Sequence, residues 1–287
     1  MDGKTPRLAV IIPAHNEAGN LGECLKSFAR QSRKPDALIV VDDHSTDRTG
    51  SLAQAFAEGH PWVRVVRRRS GPEHRPGAKV VESFRFGLET LAEPFDFIGK
   101  FDADIILPEN YFEKVLEAFE ADPLLGICGG HMYIRSGDDW AYEPIANHDH
   151  VRGPIKCYRR SCLEAMGGLR PYIGWDTADM ILARYHGFST RTLPELEVHH
   201  LRPTGGAYSA SHGEKQGASF YHLRYGWIIA GIASLKLAWK ARNPLLPLRH
   251  LKGYFRAASG TTGRLLSPEE GRFARQLRWR GIRSRLV

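Results

Sequence analysis

The sequence predicts an α/β fold, a Rossmann-like, mostly parallel sheet flanked by helices and followed by a helical, basic C-terminal extension. Three observations carry this. Up to residue 104, short apolar runs that fit strands alternate with segments whose apolar residues recur at helical spacing. The connections are short, as in βαβ units whose sheet is covered on both faces. The excess of positive charge lies entirely at the end of the chain. Arg249 to Val287 holds ten Lys/Arg against two Glu, so residues 1–248 balance to zero within a net charge of +8.

Leu8–Ile12 reads as the first strand, and Leu21–Phe28 as a helix with Leu21, Leu25 and Phe28 on one face. Ala37–Val41 is the second strand, followed by a helix over Thr46–Ala57 with Ser45 or Thr46 as its cap. Trp62–Val66 is a third strand, Ala78–Leu91 a helix and Phe95–Phe101 a fourth strand. Beyond residue 125 the alternation loosens into apolar stretches at 125–134 and 154–158 and a helix near 160–166. A helix over 177–186 and a strand over 188–199 follow, and the pattern after 216 is amphipathic and helical. The expected division is a catalytic domain over 1–215, with halves 1–104 and 105–215, and a C-terminal region over 216–287.

Right-handed crossovers bring the carboxyl ends of parallel strands to one edge, where open α/β sheets bind ligands. Acids fall there: Asp42 and Asp43 end the second strand, and Asp102 and Asp104 follow the fourth in KFDADIILPEN. Asp43 is placed to accept a hydrogen bond from a planar base, although Asp42 and Asp43 equally suit caps of the following helix. Asp102 and Asp104 project to the same side of an extended segment and can offer oxygen ligands to Mg²⁺ or Mn²⁺. Such an ion bridges a diphosphate and neutralises it as a leaving group. Neither GxGxxG nor GxxxxGK[ST] is present, which disfavours a dinucleotide site of the Rossmann type and removes a P-loop.

Taken together, VIIPAHNEAGNLGECLKSFARQ, IVVDDHSTDRT, GAKVVESFRFGLE, FDADIILPENYFEKV and YRRSCLEAMGGLRPYIGWDTADMILARYHGF resemble the family 2 glycosyltransferases of the GT-A fold. The motifs stand in family order from residue 7 to about 205. The resemblance implies an inverting, metal-dependent transferase that uses a UDP-, GDP- or dTDP-linked sugar. Pro13, Ala14 and Asp43 would then contact the base, with Glu17 in the same pocket and Lys79 near the diphosphate. Asp102 and Asp104 match the DxD of the family. In GWDTADMILARYHGF the family usually has Glu-Asp with the Asp as catalytic base, and here Trp175 replaces the Glu. Asp176, eleven residues before Gly187, is the preferred base, and Asp179, one helical turn later, is the alternative. His200 in EVHHLRPTGG would add a metal or phosphate contact, and Arg202 with Thr204, Gly205 and Gly206 would close over the diphosphate. A QxxRW motif, which marks processive members, is absent, so a single transfer to a glycan or polyprenyl-lipid-linked acceptor in surface polysaccharide synthesis is expected.

Two other function classes are weighed. A nucleotidyltransferase would want a Gly-rich, basic signature after strand one, which PAHNEAGN is not. A nucleic-acid-binding protein using the basic tail would leave the ordered acids unexplained, so no nucleic-acid partner is expected. The tail instead suits an anionic membrane surface. Trp227, Ile228, Ile229, Ile232, Leu235, Leu237 and Trp239 with Lys236 and Lys240 read as an interfacial helix, and Tyr254, Phe255, Phe273 and Trp279 recur among arginines. No apolar run reaches the roughly 18 residues of a membrane span, and Cys24, Cys128, Cys157 and Cys162 fit no disulfide or zinc spacing. The expected location is cytoplasmic, peripheral on the inner face of the membrane.

Overall fold

The computed structural model describes residues 5–71, 77–145, 147–202, 210–260 and 263–284, with backbone alone for 210–212. Nine strands form one sheet: β1 (Leu8–Ala14), β2 (Ala37–Asp43), β3 (Val63–Arg68), β4 (Phe97–Phe101), β5 (Ile105–Ile106), β6 (Leu125–Ser136), β7 (Asp139–Tyr142), β8 (Ile155–Arg159) and β9 (Ser189–His200). Their order is β3-β2-β1-β4-β8-β6-β9-β5, with β7 on the free part of β6. The first four are mutually parallel, β8 runs against both β4 and β6, and β6 pairs in parallel with β9.

Period-two alternation explains why both faces are covered. Leu8, Val10 and Ile12 point to the side packed by α1 (Leu21–Ala29) and α4 (Tyr111–Ala121). Ala9 and Ile11 point to the opposite side, under α3 (Ala78–Glu89) and α6 (Trp175–Tyr185). The remaining helices are α2 (Thr49–Glu58), α5 (Arg160–Ala165), α7 (Ala210–His222), α8 (Gly226–Lys240), α9 (Leu246–Ser259) and α10 (Pro268–Arg283).

Three features depart from the sequence pattern. α2 begins at Thr49 rather than Thr46, because the Ser45 hydroxyl accepts the Asn16 N–H at 3.0 Å instead of capping the helix. β5 and α4 occupy the stretch after Asp104, where no element is assigned above; the apolar spacing of Tyr111, Phe112, Val115, Leu116 and Phe119 is the signal for the helix. The boundary expected at 215/216 falls inside α7, and the C-terminal region enters the core. Phe220, Leu223, Ile229, Leu265, Leu266 and Ala274 are buried with the α3–α6 side of the sheet, and Leu237, Tyr254, Phe273 and Trp279 pack against that cluster. These last four, with Ile229, are therefore core-facing rather than interfacial. The four cysteines are buried and free.

Two contacts tie the C-terminal helices down. α7 and α9 cross so closely that a Cβ on Gly217 would stand 1.9 Å from the His250 carbonyl oxygen, and one on Gly253 1.9 Å from that of Glu214. Only glycine permits backbones to approach in this way. In α10, Ser267 and Glu270 form a capping box, and Arg170 grips both Glu270 oxygens at 2.7 and 2.8 Å. Burial opposes ionisation of Glu270, but Arg170 and Ser267 outweigh it and hold its carboxyl below the ordinary 4.5.

A group with a depressed folded-state pKa contributes stability above its unfolded value and loses it as pH falls. Glu270→Gln is therefore expected to cost about 2 kcal/mol near neutral pH. In thermal melts the gap between wild type and variant should narrow as pH drops through 4.5. A gap unchanged well below that pH would contradict the assignment.

Candidate active site

The loops after β1 and β2 are laced together at the carboxyl edge of the sheet. Pro13 and Ala14 end β1 opposite Val41 and Asp42. Asn16 adopts φ 55°, a left-handed conformation that Asn tolerates, and its side-chain oxygen accepts the Thr46 N–H at 2.8 Å. The Glu17 N–H donates to the Thr49 hydroxyl at 2.7 Å. Asp43 lies opposite Arg68 in the β2–β3 register. Its carboxylate accepts from Arg68 at 3.0 and 3.1 Å and from the Ser83 hydroxyl at 3.0 Å. Asp42 faces the other way and accepts the Ser45 N–H at 3.0 Å, a turn-capping role. Lys79 sits on the first turn of α3 and donates to the Gly71 carbonyl at 2.9 Å.

The acids after β4 part company. Asp102 takes the ammonium of buried Lys100 and keeps a third of its side chain exposed. Asp104 is buried and accepts from Arg202 at 3.1 and 3.2 Å, and the same guanidinium also binds Glu17. His200, opposite Ile105 in the β5–β9 register, reaches Asp104 at 3.6 Å and Glu143 at 3.7 Å. Glu143 in turn binds Arg152 at 3.0 Å. Burial disfavours the charged ring, but hydrogen bonds to Asp104 and Glu143 push His200 up to about 9, so it stands as an imidazolium. Burial likewise opposes ionisation of Asp104, and His200 and then Arg202 outweigh it, leaving the carboxyl below its ordinary range. Thr204, Gly205 and Gly206 lie outside the described residues.

A divalent cation suits this corner chemically, because Glu17 and Asp104 already hold a cationic group between them with Asp102 two residues away. Among the described residues no three His, Cys, Asp or Glu side chains form a ready cage, so Asp102, Asp104 and His200 do not converge as one ligand set. That pattern suits an ion held by one or two carboxylates and completed by substrate phosphates. A protonated His200 cannot ligate; it neutralises Asp104 unless it gives up its proton.

Asp176 and Asp179 have different surroundings although both open α6. Asp179 is buried: Lys156 donates to its oxygens at 2.7 and 2.8 Å and the Tyr158 hydroxyl at 2.7 Å. Burial raises its pKa despite these partners. Asp176 keeps 36% of its side chain exposed, and His150 lies 3.8 Å away. Burial again opposes charge, but His150, Lys156 and Arg152 outweigh it and hold the carboxyl well below the usual carboxylate range. Lys100 and Lys156 are direct partners across β4 and β8, and the Trp175 ring packs against both ammonium groups, 5.1 Å from Lys100 and 5.6 Å from Lys156. An aromatic face attracts ammonium groups, which gives a physical reason for Trp where the family pattern has Glu. Gly153 and Pro154 join the two halves of the site. The Asp102 N–H donates to the Pro154 carbonyl at 3.0 Å, and a Cβ on Gly153 would lie 3.3 Å from that of Asp176.

Sequence reasoning missed Lys100, Lys156, Glu143, Arg152 and His150. A signal existed for the lysines, each a charge set among apolar residues of a strand (FIGKF and IKCYR). The other three have no local pattern.

The model of glycosyl transferase family 2 matches residues 9–172, more than half of the chain. The chain belongs to glycosyl transferase family 2. Relatives include the undecaprenyl-phosphate 4-deoxy-4-formamido-L-arabinose transferase of Pseudomonas paraeruginosa, 27% identical over 71% of this chain and 60% of that protein. The dolichol-phosphate mannosyltransferase of Pyrococcus furiosus is 31% identical over 47% of this chain and 36% of its own length. The glycosyltransferase EpsJ of Bacillus subtilis is 27% identical over 48% and 38%. The chain thus spans 36–60% of the length of these curated relatives. Among solved structures, the mannosyltransferase PcManGT of Pyrobaculum calidifontis, in complex with GDP-Man and Mn²⁺, superposes with a TM-score of 0.58 at 18% identity, over 98% of this chain and 76% of that one. S. aureus TarS 1–349 with UDP-GlcNAc gives 0.56 at 16%, over 87% and 73%. The fold of this family 2 glycosyltransferase is therefore GT-A, and a nucleotidyltransferase is set aside.

Removing one partner of a buried pair leaves an uncompensated charge. Asp179→Asn is expected to cost about 3 kcal/mol in denaturant unfolding. A loss below about 1 kcal/mol would mean that Asp179 is not the counter-charge of Lys156.

Proposed function

We propose that this glycosyltransferase is inverting and metal-dependent, moving one sugar from a nucleotide-diphosphate donor to a hydroxyl of a glycan or polyprenyl-lipid-linked acceptor in surface polysaccharide synthesis. The observation that carries this is the placement of Asp176: ionised, partly open, and one short segment, Gly153–Pro154, away from Asp102. Donor complexes of the similar structures, GDP-Man with Mn²⁺ in one and UDP-GlcNAc in another, support a nucleotide-sugar donor. Relatives named for undecaprenyl phosphate and dolichol phosphate support a lipid-linked acceptor.

In this reading the base stacks at the ends of β1 and β2, against Pro13 and Ala14, with Asp43 and Glu17 lining the pocket and Lys79 facing the diphosphate. Mn²⁺ or Mg²⁺ would be held by Asp104 and Asp102, with His200 as a further ligand once deprotonated, and would supply positive charge to the departing diphosphate. Arg202 leaves its bridge between Glu17 and Asp104 as the donor enters. Asp176 accepts the acceptor hydroxyl's proton as the new C–O bond forms. A carboxyl of such low pKa takes that proton only late, when the attacking oxygen has become acidic. Asp179, with both oxygens bonded beneath the site, orients Lys156 and through it the backbone of Asp176, whose carbonyl accepts from Lys156 at 2.6 Å.

Thermal-shift screening of UDP-, GDP- and dTDP-sugars with Mn²⁺ tests the class, since a donor at a hundred times its Kd stabilises by about 2.7 kcal/mol. Asp104→Ala is expected to abolish Mn²⁺-stimulated donor hydrolysis; retained stimulation would remove Asp104 from the metal role. Asp176→Asn is expected to keep donor-induced stabilisation while transfer falls by about 10² or more. If Asp179→Asn, folded and donor-binding, shows that loss and Asp176→Asn does not, the base is misassigned.

A further inference from the structure

Among the described residues, nine of the twelve large apolar side chains that stand exposed lie between Trp227 and Phe255. They follow helical spacing. On α8, Ile228, Leu235 and Trp239 form one stripe beside Trp227, while Ile229, Ala230, Ser234 and Ala238 turn inward. On α9, Leu248 and Phe255 are exposed, and Leu246, His250 and Gly253 face the interior. Trp239 is 88% exposed and Trp227 71%, values rare for side chains whose burial dominates core and interface energetics. The helices are not loose, because α9 is locked to α7 by the glycine crossing and α8 contributes Ile229 and Ala230 to the core.

Charge identifies what covers this ridge. From residue 215 to 268 the sequence has nine Lys/Arg and no Asp or Glu. Lys236, Lys240 and Arg242 stand exposed on or just after α8, and Lys252 and Arg256 on α9. Glu214 pairs with Lys252 and Arg256, and Lys240 donates to the Pro144 carbonyl at 3.0 Å. A second copy would bring like charge against like charge, whereas an anionic bilayer meets the apolar stripe with acyl chains and the basic rim with headgroups. No helix among the described residues is long and apolar enough to cross a membrane. α8, at 15 residues, spans about 22 Å, short of the roughly 30 Å hydrocarbon core.

We infer that the α8–α9 ridge is a membrane-docking face that lies in the interface of an anionic bilayer, with Trp227 and Trp239 as its anchors. This deepens the proposed function, and rests on it only in that a lipid-linked acceptor would be met on that surface. α10, by contrast, belongs to the folded core and is not part of the face.

The test uses the full chain with vesicles of phosphatidylcholine alone or mixed with phosphatidylglycerol, some carrying brominated acyl chains. Expected are binding at least about tenfold stronger to the anionic vesicles, weakened by salt, and quenching of tryptophan fluorescence by the brominated lipid. Trp227→Ser/Trp239→Ser should remove the quenching and weaken binding about tenfold, with the melting temperature unchanged. Lys236→Gln/Lys240→Gln should reduce the preference for anionic vesicles. Equal binding to both vesicle types, or quenching that survives the double tryptophan substitution, overturns the inference. So does a dimer in sedimentation that the double substitution dissolves while vesicle binding is absent. Donor hydrolysis without vesicles is measured in parallel; its loss in the wild type would count against the transferase reading and leave the vesicle result standing.

Discussion

The buried Lys156–Asp179 pair is the contact on which the rest of this corner depends. Lys156, the second residue of β8, is fully buried, and its ammonium must be met by oxygen or not be there. Asp179 and the Asp176 carbonyl supply that oxygen, which fixes the first turn of α6 against the sheet while the Asp176 side chain stays partly exposed. Trp175 closes the arrangement by packing its ring against both Lys156 and Lys100. Because Lys100 also holds Asp102, the proposed base and the first acid of the proposed metal corner are positioned by one buried assembly.

Around it, positive and negative groups alternate: Arg202 between Glu17 and Asp104, His200 between Asp104 and Glu143, Arg152 on Glu143, and His150 near Asp176. Isolated, several of these groups would be too costly to bury. Alternation lets four acids, Glu17, Asp104, Glu143 and Asp176, stand near one another with a basic group beside each.

The first four strands were legible because period-two alternation and short turns are local, and the acids could be found because they end apolar runs. Asp176 was singled out through the family resemblance and its distance from Gly187, and the structure leaves its side chain partly exposed at the start of α6. Glu143, Arg152 and His150 were not legible, since their meaning arises when β7, the segment before β8 and β9 meet, and no spacing along the chain encodes that meeting. The C-terminal region was partly misread for another reason. An amphipathic helix shows the same pattern whether its apolar stripe meets lipid or protein, so Phe273 and Trp279 could not be told from Trp227 and Trp239 until the core was in view.

The guanidinium of Arg202 carries a consequence for the order of events. With that cation seated between Glu17 and Asp104, the donor-free enzyme is already electrically complete at its most acidic point. In the proposed reading, a metal ion arriving alone would gain little, since it would have to evict a well-bonded neighbour and would have no phosphate to complete its shell. A metal arriving with a nucleotide diphosphate offers the evicted arginine a new anion, so the exchange conserves ion pairs. On the proposed reading the enzyme would be selective in time as well as in space, resting inert among free cations and opening the proposed metal corner only to a charged donor.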